Sequence, residues 1–258
     1  MIPLDDRGLT LGDGLFETVL ARGGDLVLFE AHAERMGQGA AALGLPAPDV
    51  AEMRRLALSA VEAAPDPAAR LAVRITWTVG SGGRGLDRPD RPAPRIWASA
   101  APAPRPAAPA RLALSAIRRN PTSPASSLKT LSYLDNVEAR RRAVLQGADE
   151  ALMLDMDGHL ACAAAANLFW VAGGRLHTPP DLGAILPGVM RRTLIVAAGR
   201  IGLDVTPARA APETLFAAEG VFLTNSLIGV RAVSQLDGRD LRVSPLADRL
   251  AAAVADWT

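Results

Sequence analysis

The sequence contains a single cysteine and no pattern typical of a signal peptide. Cys162 is the only cysteine among 258 residues, so no disulfide can form within the chain, and we expect a reducing, cytoplasmic environment. No apolar run approaches the ~20 residues that a membrane span needs. The opening residues MIPLDDRG lack a basic start followed by an apolar stretch, so we predict no signal peptide and no membrane partner.

The charge balance and the metal-binding residue types exclude further classes of function. The formal net charge is +1 at pH 7, which gives no reason to expect a nucleic-acid partner. The three histidines, His32, His159 and His177, have no metal-ligand spacing, and one cysteine cannot build a thiolate zinc site. We therefore predict no metal and a small-molecule substrate.

Lysine is almost absent as well. The chain has 28 basic residues, and Lys129, in the stretch SSLKTLSYLDN, is the only one that is not an arginine. Arginine can replace lysine on a surface at little cost, but a guanidinium stays protonated at any ordinary pH and cannot act as a neutral amine. Lys129 is therefore either a leftover surface lysine or an amine that attacks a carbonyl.

Two halves with different patterns indicate two α+β domains. The first half alternates apolar strands with helices; its stretch GLFETVLARGGDLVLFE is typical of a hairpin with a Gly-Gly turn. The second half contains strands joined at Asp-Gly and Gly-Gly turns, and helices such as PGVMRRTLIVAAGRIG. We predict a small domain over 1–118, a loop-like linker over 119–124 and a large domain over 125–258.

Backbone amides that could hold a phosphate occur at two places. The helix start at Gly188, Val189 and Met190 offers free N–H groups, and the stretch TNS at 224–226 ends a strand with small polar side chains. Neither feature is specific, because a Pro-Gly helix start is more often plain capping and Thr-Asn-Ser is more often an ordinary turn. The loop GSGGRG does not have the spacing of a dinucleotide fingerprint. One special amine, a possible phosphate cradle and no metal together fit a pyridoxal phosphate enzyme.

The order and spacing of several motifs resemble the fold type IV pyridoxal phosphate enzymes. The resemblance covers nearly the whole chain and rests on DDRGLTLGDGLFET, HAERM, GSGGRG, RNPTSPASSLKTLSYLDNVEARR, GADEALMLD, NLFWV, LPGVMRR and TNSLIGVRAV. Within this group the chain is most similar to aminodeoxychorismate lyase, which converts 4-amino-4-deoxychorismate to 4-aminobenzoate, a folate precursor, and pyruvate. The resemblance implies a two-domain fold with the cofactor in the interdomain cleft, and a homodimer.

The resemblance also implies a role for individual residues. Lys129 is the Schiff-base lysine and moves protons as acid and base. Tyr133, four residues later and about one helical turn away, lies near the cofactor ring hydroxyl. The remaining cofactor ligands bind the phosphate: Arg35 through its guanidinium, Val189 and Met190 through their amides, and Asn225 and Ser226 from the opposite side.

Position 162 departs from the family pattern. Relatives carry a glutamate there, four residues after the Gly of the Asp-Gly turn and five before the Asn of NLF, and its carboxylate keeps the pyridine nitrogen protonated. Cys162 occupies this position, and no acidic residue lies between Gly158 and Asn167. A thiol with an ordinary pKa of about 8.5 is mostly neutral and would make the cofactor a weaker electron sink. Alternatively, Cys162 packs as a small buried hydrophobe and another group serves the nitrogen.

Three functions remain open at this point. A lyase step that ends in an aromatic product tolerates a weaker sink, which favours the lyase over an aminotransferase acting on D- or branched-chain amino acids. The third is a degenerate homologue with altered or lost activity. The substrate ligands are also uncertain: Val79 stands where some relatives have an arginine, and Arg84 and Arg118 are weak candidates, each equally well explained as a solvated loop arginine.

Overall fold

The computed structural model describes residues 2–258 and separates into two compact units. The first unit runs up to Pro104 and also includes Leu128–Ser132. The second consists of Arg105–Ser127 and Tyr133–Thr258. Each unit combines helices with its own sheet, so the predicted two-domain α+β fold is confirmed. Over the described range, no helix is long and apolar enough to cross a membrane.

The first unit is an antiparallel sheet with two long helices. In the described residues its four strands have the order β2-β1-β3-β4. Its elements are α1 (Arg7–Leu11), β1 (Gly14–Arg22), β2 (Asp25–Leu26), α2 (Phe29–Ala42), α3 (Val50–Glu62), β3 (Leu71–Thr78) and β4 (Arg95–Pro102).

The predicted hairpin at the start of this unit is confirmed, with Gly23 and Gly24 in its turn. Both glycines have positive φ, which side chains with a Cβ rarely adopt. Strand β1 is buried over most of its length because apolar side chains such as Val19 and Leu20 occupy the core. Asp49 caps α3 by accepting the N–H groups of Ala51 and Glu52. The core thus lies between the sheet and the two helices.

The second unit contains a larger mixed sheet and five short helical segments over the described residues. Its elements are β5 (Ala110–Leu114), α4 (Pro124–Ser127), α5 (Leu134–Leu145), β6 (Glu150–Leu154), β7 (Leu160–Ala163), β8 (Asn167–Ala172), β9 (Arg175–Thr178), α6 (Val189–Arg200), β10 (Val205–Pro207), α7 (Thr214–Ala217), β11 (Gly220–Asn225), β12 (Gly229–Leu236), β13 (Arg239–Asp240) and α8 (Leu246–Ala253), followed by a 3₁₀ turn at Ala255–Trp257.

The sheet of the second unit closes on itself. Its strand order is β10-β9-β8-β11-β12-β5-β6-β7, with β13 added beside β12. Strand β7 also pairs with β8, through Cys162 opposite Asn167. Six strands, β8, β11, β12, β5, β6 and β7, therefore form a closed ring, so none of these six lies at a free edge, whereas β10 and β13 remain edge strands.

The division between the units differs from the predicted boundary at residue 118. Strand β5 pairs with β6 and β12, so the chain after Pro104 already belongs to the second unit. Conversely, the lysine segment Leu128–Ser132 pairs with β1 and belongs to the first unit. Pattern along the chain does not reveal this crossing because each strand partner is distant in sequence.

The segment predicted as a linker, 119–124, is packed into the second unit around Arg119. The Arg119 side chain is 5% exposed and donates to the Asn136 side chain and to the carbonyls of Ala125 and Ser126. Its backbone N–H donates to Leu154. Arg119 has no carboxylate partner in residues 2–258. A buried cation therefore holds together the loop that precedes Lys129.

We expect Arg119→Met to destabilise the protein by about 3 kcal/mol, because it leaves buried oxygen acceptors unpaired. Arg118 is exposed, so Arg118→Met is a control of the same chemistry one residue away and should leave stability unchanged. Urea unfolding followed by circular dichroism measures both. Equal midpoints for the two variants would contradict the structural role of Arg119.

Candidate active site

Lys129 lies in an extended segment beside the beginning of β1. The Phe16 N–H donates to the Lys129 carbonyl at 2.9 Å, and the Leu131 N–H donates to the Gly14 carbonyl at 3.0 Å. These bonds place Lys129 opposite Phe16 on one face of the sheet, and the Lys129 Nζ lies 4.3 Å from the centre of the Phe16 ring. The backbone of the first unit thus fixes where the only lysine of the chain points.

Glycine is required where this segment approaches β1. A Cβ on Gly14 would lie 2.4 Å from the Trp77 carbonyl oxygen and 2.9 Å from the Leu131 side chain. A residue with a Cβ at position 14 would displace either the segment Leu128–Ser132 or β3. The stretch LGDGLF therefore has a packing reason for its second glycine, independent of any turn.

Lys129 is half-buried, and the basicity of its amine is reduced. Burial lowers the pKa of Lys129 most, the Glu17 carboxylate raises it, and the guanidinium groups of Arg35 and Arg74 lower it, with a net pKa of about 8 instead of 10.5. A substantial fraction of the amine is therefore neutral near physiological pH. This is the property that a nucleophilic lysine needs and that a surface lysine lacks.

Glu17, His32 and Arg35 form a buried cluster on the α2 side of β1. Arg35 donates to Glu17 through two nitrogens, Nε at 2.8 Å and Nη2 at 2.6 Å. The Nδ1 atom of His32 lies 2.7 Å from Glu17. Burial raises the pKa of Glu17, but Arg35 and the His32 hydrogen bond outweigh it and bring the pKa to about 2. Glu17 is therefore ionised at neutral pH.

Arg35 and Lys129 are the members of this group expected from the sequence, whereas three of their neighbours, Glu17, His32 and Arg74, were not expected. Glu17 had a usable signal: it is an isolated acid inside the apolar strand GLFETVLA, where a buried charge needs a partner. His32 precedes Arg35 by three residues on α2, which places both on one helix face. Arg74 stacks on Phe16, with its guanidinium carbon 3.8 Å from the ring centre, and no local pattern distinguishes it from other strand arginines.

In the second unit, the start of α6 has the character of an anion site. Val189 is its first residue, Gly188 precedes it in an extended conformation, and neither an acidic residue nor a side-chain cap occupies its first turn. The side chain of Arg191 adds a positive charge there and donates to the Pro179 carbonyl. Uncapped amides and a cation together favour a bound anion such as phosphate.

Asn167 joins the α6 start to the sheet. Its side chain donates to the Leu186 carbonyl at 2.9 Å, and a Cβ on Gly188 would lie only 2.0 Å from its Oδ1 atom. Asn167 pairs with Cys162 on one side and with Thr224 on the other. The predicted residues Cys162, Val189 and Met190 are thus brought to one end of the closed ring.

The end of β11 supplies an unsatisfied hydroxyl at the same place. Thr224 is fully buried, and its Oγ1 has no hydrogen-bond partner in the part of the chain that the structure describes. Such an atom is costly unless something else pairs with it. The α6 start and the Thr224 hydroxyl are therefore a set of unused donors that fits a phosphate group.

The side chain of Asn225 makes three hydrogen bonds around the loop that follows β11. Its Oδ1 accepts the N–H groups of Leu227 and Ile228, and its Nδ2 donates to the Ala165 carbonyl. Asn225 therefore shapes the loop that carries Ser226, and its side-chain amide is already engaged. Ser226 itself is half-buried on that loop.

Cys162 is a neutral, buried thiol. It is 5% exposed and packs in a core cluster with Met153, Ala164 and Ile185. Burial raises the pKa of Cys162 to about 11, Arg119 lowers it and Glu150 raises it. Position 162 therefore carries a neutral thiol and no carboxylate charge. Cys162 also packs as a small buried hydrophobe.

The structure corrects the predicted helical relation between Lys129 and Tyr133. Helix α5 begins at Leu134 with Tyr133 as its preceding residue, and the chain from 128 to 132 is not helical because Thr130 bridges to Leu15. The four-residue spacing therefore does not correspond to one helical turn. Lys129 and Tyr133 belong to different units.

The two weak substrate candidates, Arg84 and Arg118, are exposed. Arg84 lies in the loop GSGGRG, where its backbone pairs with Asp87 and where Arg7 donates to the carbonyls of Leu86 and Asp87. Arg7 therefore fastens the loop, while the Arg84 side chain is solvated. Arg118 is exposed and its neighbour Arg119 is the buried one.

One acidic cluster lies apart from the residues discussed above. Ligand atoms of Asp155, Asp157 and His159 lie within 4.8 Å of one another. Asp155 Oδ1 accepts the backbone N–H groups of Asp157 and His159, which forms the turn between β6 and β7. The cluster is explained as turn structure.

Comparison with known proteins places this geometry in a family. The family model for amino-transferase class IV matches residues 14–236. The chain belongs to the class IV aminotransferase family. The predicted membership in this group of fold type IV enzymes is therefore confirmed.

Individual relatives of the family carry two kinds of name. The chain is 31% identical to the bifunctional aminodeoxychorismate lyase / D-amino acid transaminase of Mycobacterium tuberculosis, over 98% of this chain and 92% of that protein. It is 32% identical to the crystal structure of 4-amino-4-deoxychorismate lyase from Pseudomonas aeruginosa, with a TM-score of 0.88 over 99% of this chain and 95% of that one.

A third relative is a structure with its cofactor bound. The PLP-bound form of a hypothetical aminotransferase from Mycobacterium tuberculosis is 28% identical, with a TM-score of 0.86 over 99% of this chain and 92% of that one. The class IV family fold is thus shared over almost the full chain with both a lyase and an aminotransferase.

We expect the amine of Lys129 to titrate near pH 8. Because Lys129 is the only lysine, protein labelled with ¹³C-lysine gives a single side-chain Cε resonance, and its pH dependence reports this one amine. The expected midpoint is about 8, set mainly by burial. A midpoint near the ordinary value of 10.5 would contradict the buried, partly neutral amine.

Proposed function

We propose that the protein is a pyridoxal phosphate-dependent lyase that converts 4-amino-4-deoxychorismate to 4-aminobenzoate and pyruvate. The proposal is supported by family membership and by relatives named as lyases with this substrate. The single observation that carries it is the position of the Lys129 amine, 4.3 Å from the centre of the Phe16 ring and among the charges of Glu17, Arg35 and Arg74, which accompanies a pKa of about 8. A chain with one lysine that places it in such an environment uses it as a neutral amine.

The residues present fit the cofactor. Pyridoxal phosphate supplies a carbonyl that accepts a lysine amine and a ring that withdraws electrons from a bound substrate. Lys129 would form the covalent link through Nζ. In the second unit, the N–H groups of Val189 and Met190, the Thr224 hydroxyl and Ser226 would hold the phosphate, and the family resemblance implies the same role for the guanidinium of Arg35. The unused donors at the α6 start support this assignment.

Lys129 then has two tasks. Its Nζ would hold the cofactor, and as a free amine it would remove a ring proton from the substrate. The C–O bond to the enolpyruvyl group would break, the departing enolpyruvate would take up a proton to become pyruvate, and the carbon ring would become aromatic. A pKa near 8 suits both tasks because about a tenth of the amine is neutral at pH 7 and can accept a proton, while the protonated form can return one.

Arg74 is the arginine best placed to bind a substrate carboxylate in the first unit. The Arg74 side chain is exposed and stacks on Phe16, and its positive charge lowers the pKa of Lys129. Both Arg74 and Lys129 therefore lie at the same aromatic ring. Arg84 and Arg118 remain weaker candidates, since neither has a contact with this group.

The neutral thiol of Cys162 favours the lyase over an aminotransferase. A carboxylate at that position would stabilise a protonated ring nitrogen, and a thiol with a pKa of about 11 does not. Aromatisation of the product supplies its own driving force, whereas amino-group exchange depends more on a strong electron sink. The relative named as both lyase and D-amino acid transaminase makes transamination the second candidate.

We expect purified protein with pyridoxal phosphate to release 4-aminobenzoate and pyruvate from 4-amino-4-deoxychorismate, and Lys129→Ala to abolish this turnover. Chromatography of 4-aminobenzoate measures the reaction. Arg55→Ala, on an exposed ion pair of α3, is the folding and activity control. Normal turnover by Lys129→Ala would contradict the mechanism. Exchange of amino groups with a keto acid and no 4-aminobenzoate would replace the lyase by the aminotransferase.

A further inference from the structure

Glu17 is the only acidic residue of β1, and it is hydrogen-bonded to two polar side chains of α2. It is 1% exposed, lies inside an otherwise apolar strand, and accepts three hydrogen bonds from two side chains of α2. Both nitrogens of Arg35 that it engages lie on one edge of the guanidinium, which fixes the orientation of that group. The isolated charge is thus used to hold another charged side chain.

His32 completes this arrangement without adding charge. Burial lowers the pKa of His32, although its hydrogen bond with Glu17 raises it in part, so the ring is neutral. A carboxylate can only accept, and therefore the Nδ1 atom of His32 carries the proton. The Glu17, His32 and Arg35 cluster has one negative and one positive charge, and His32 orients the carboxylate from the other side.

The cluster of Glu17, His32 and Arg35 is connected to the Lys129 segment by strand β1. Phe16 precedes Glu17 and lies opposite Lys129, with the Phe16 N–H bonded to the Lys129 carbonyl at 2.9 Å. The charged groups that act on Lys129 come from three elements: Glu17 on β1, Arg35 on α2 and Arg74 on β3. Glu17 is the only anion of the three.

We infer that Glu17 is a positioning residue of this enzyme: it orients the Arg35 guanidinium, and its carboxylate offsets the two arginine charges at the Lys129 amine. The inference rests on the proposed role of Lys129 as the reacting amine. It adds that one buried carboxylate serves two ligand groups, the phosphate-binding arginine and the lysine. Removing its charge therefore has two separate effects that can be measured independently.

The first effect is measured on the whole protein without cofactor, by the ¹³C titration of the single lysine. Glu17→Gln removes the anion and is expected to lower the midpoint of Lys129 by roughly one unit. Arg74→Gln removes a cation and is expected to raise it. His32→Gln removes a neutral group and is expected to leave it at about 8. A folded Glu17→Gln variant with an unchanged midpoint would overturn the inference.

The second effect is measured by titrating pyridoxal phosphate into the same variants and following its absorbance. Glu17→Gln loses a charge-assisted bond to Arg35, so we expect about tenfold weaker binding. Glu17→Asp keeps the charge but is one methylene shorter and cannot reach both Arg35 nitrogens as well. We expect it to bind the cofactor weakly while Lys129 titrates as in the unsubstituted protein.

The two readouts separate failure of this inference from failure of the proposed function. Absence of cofactor binding by the unsubstituted protein would reject the proposed function, while the lysine titration would still decide the role of Glu17. If Glu17→Gln does not fold by circular dichroism, Glu17→Asp decides: unaltered cofactor affinity in this variant would overturn the positioning role, and weakened affinity with an unaltered Lys129 midpoint would support it.

Discussion

Removing the Lys129 amine from water is the constraint on which the arrangement of the first unit depends. A buried ammonium is unfavourable, so its environment must either neutralise it or balance it with charge. Both occur here: burial and the charges of Arg35 and Arg74 lower the pKa of Lys129, and the Glu17 carboxylate raises it. Strand β1 supplies two adjacent residues to this environment. The Phe16 ring lies beside the Lys129 amine, and Glu17 is hydrogen-bonded to Arg35 and His32.

The second unit meets a different requirement, which is to present unpaired backbone donors without losing its fold. Its strand ring closes through the Cys162–Asn167 pair, and Asn167 then supports the uncapped start of α6. Gly188 is needed there because no Cβ fits beside Asn167. A neutral residue at position 162 is compatible with this packing, since a carboxylate in the same small-residue core would have to be paired with Arg119 or desolvated alone.

The parts of this account that local sequence could predict are those that depend on local geometry. The Gly-Gly hairpin, the helix that begins after Gly188 and the importance of a lone lysine among arginines follow from residue type and spacing. The crossing of Leu128–Ser132 into the first unit does not, because the strand that it joins lies more than a hundred residues earlier.

Long-range pairing also explains the residues that were missed. The apolar strand around Glu17 indicates that this acid needs a partner, but only the fold supplies that partner, and the sequence around Arg119 gives no comparable indication. Arg118 and Arg119 are adjacent and identical in type, yet one is solvated and the other buried. The assumed helical turn from Lys129 to Tyr133 failed for the same reason: a strand contact at Thr130 decides that backbone, which spacing alone cannot reveal.

The most direct test of the account is to treat the protein with pyridoxal phosphate and borohydride and to map the modified peptide by mass spectrometry. Because the chain has one lysine, only Lys129 and the N-terminal amine can carry the reduced adduct. We expect stoichiometric modification of Lys129 at a cofactor concentration that leaves the N-terminus unmodified. Modification of the N-terminus alone, or of neither amine, would contradict a functional role for the buried lysine.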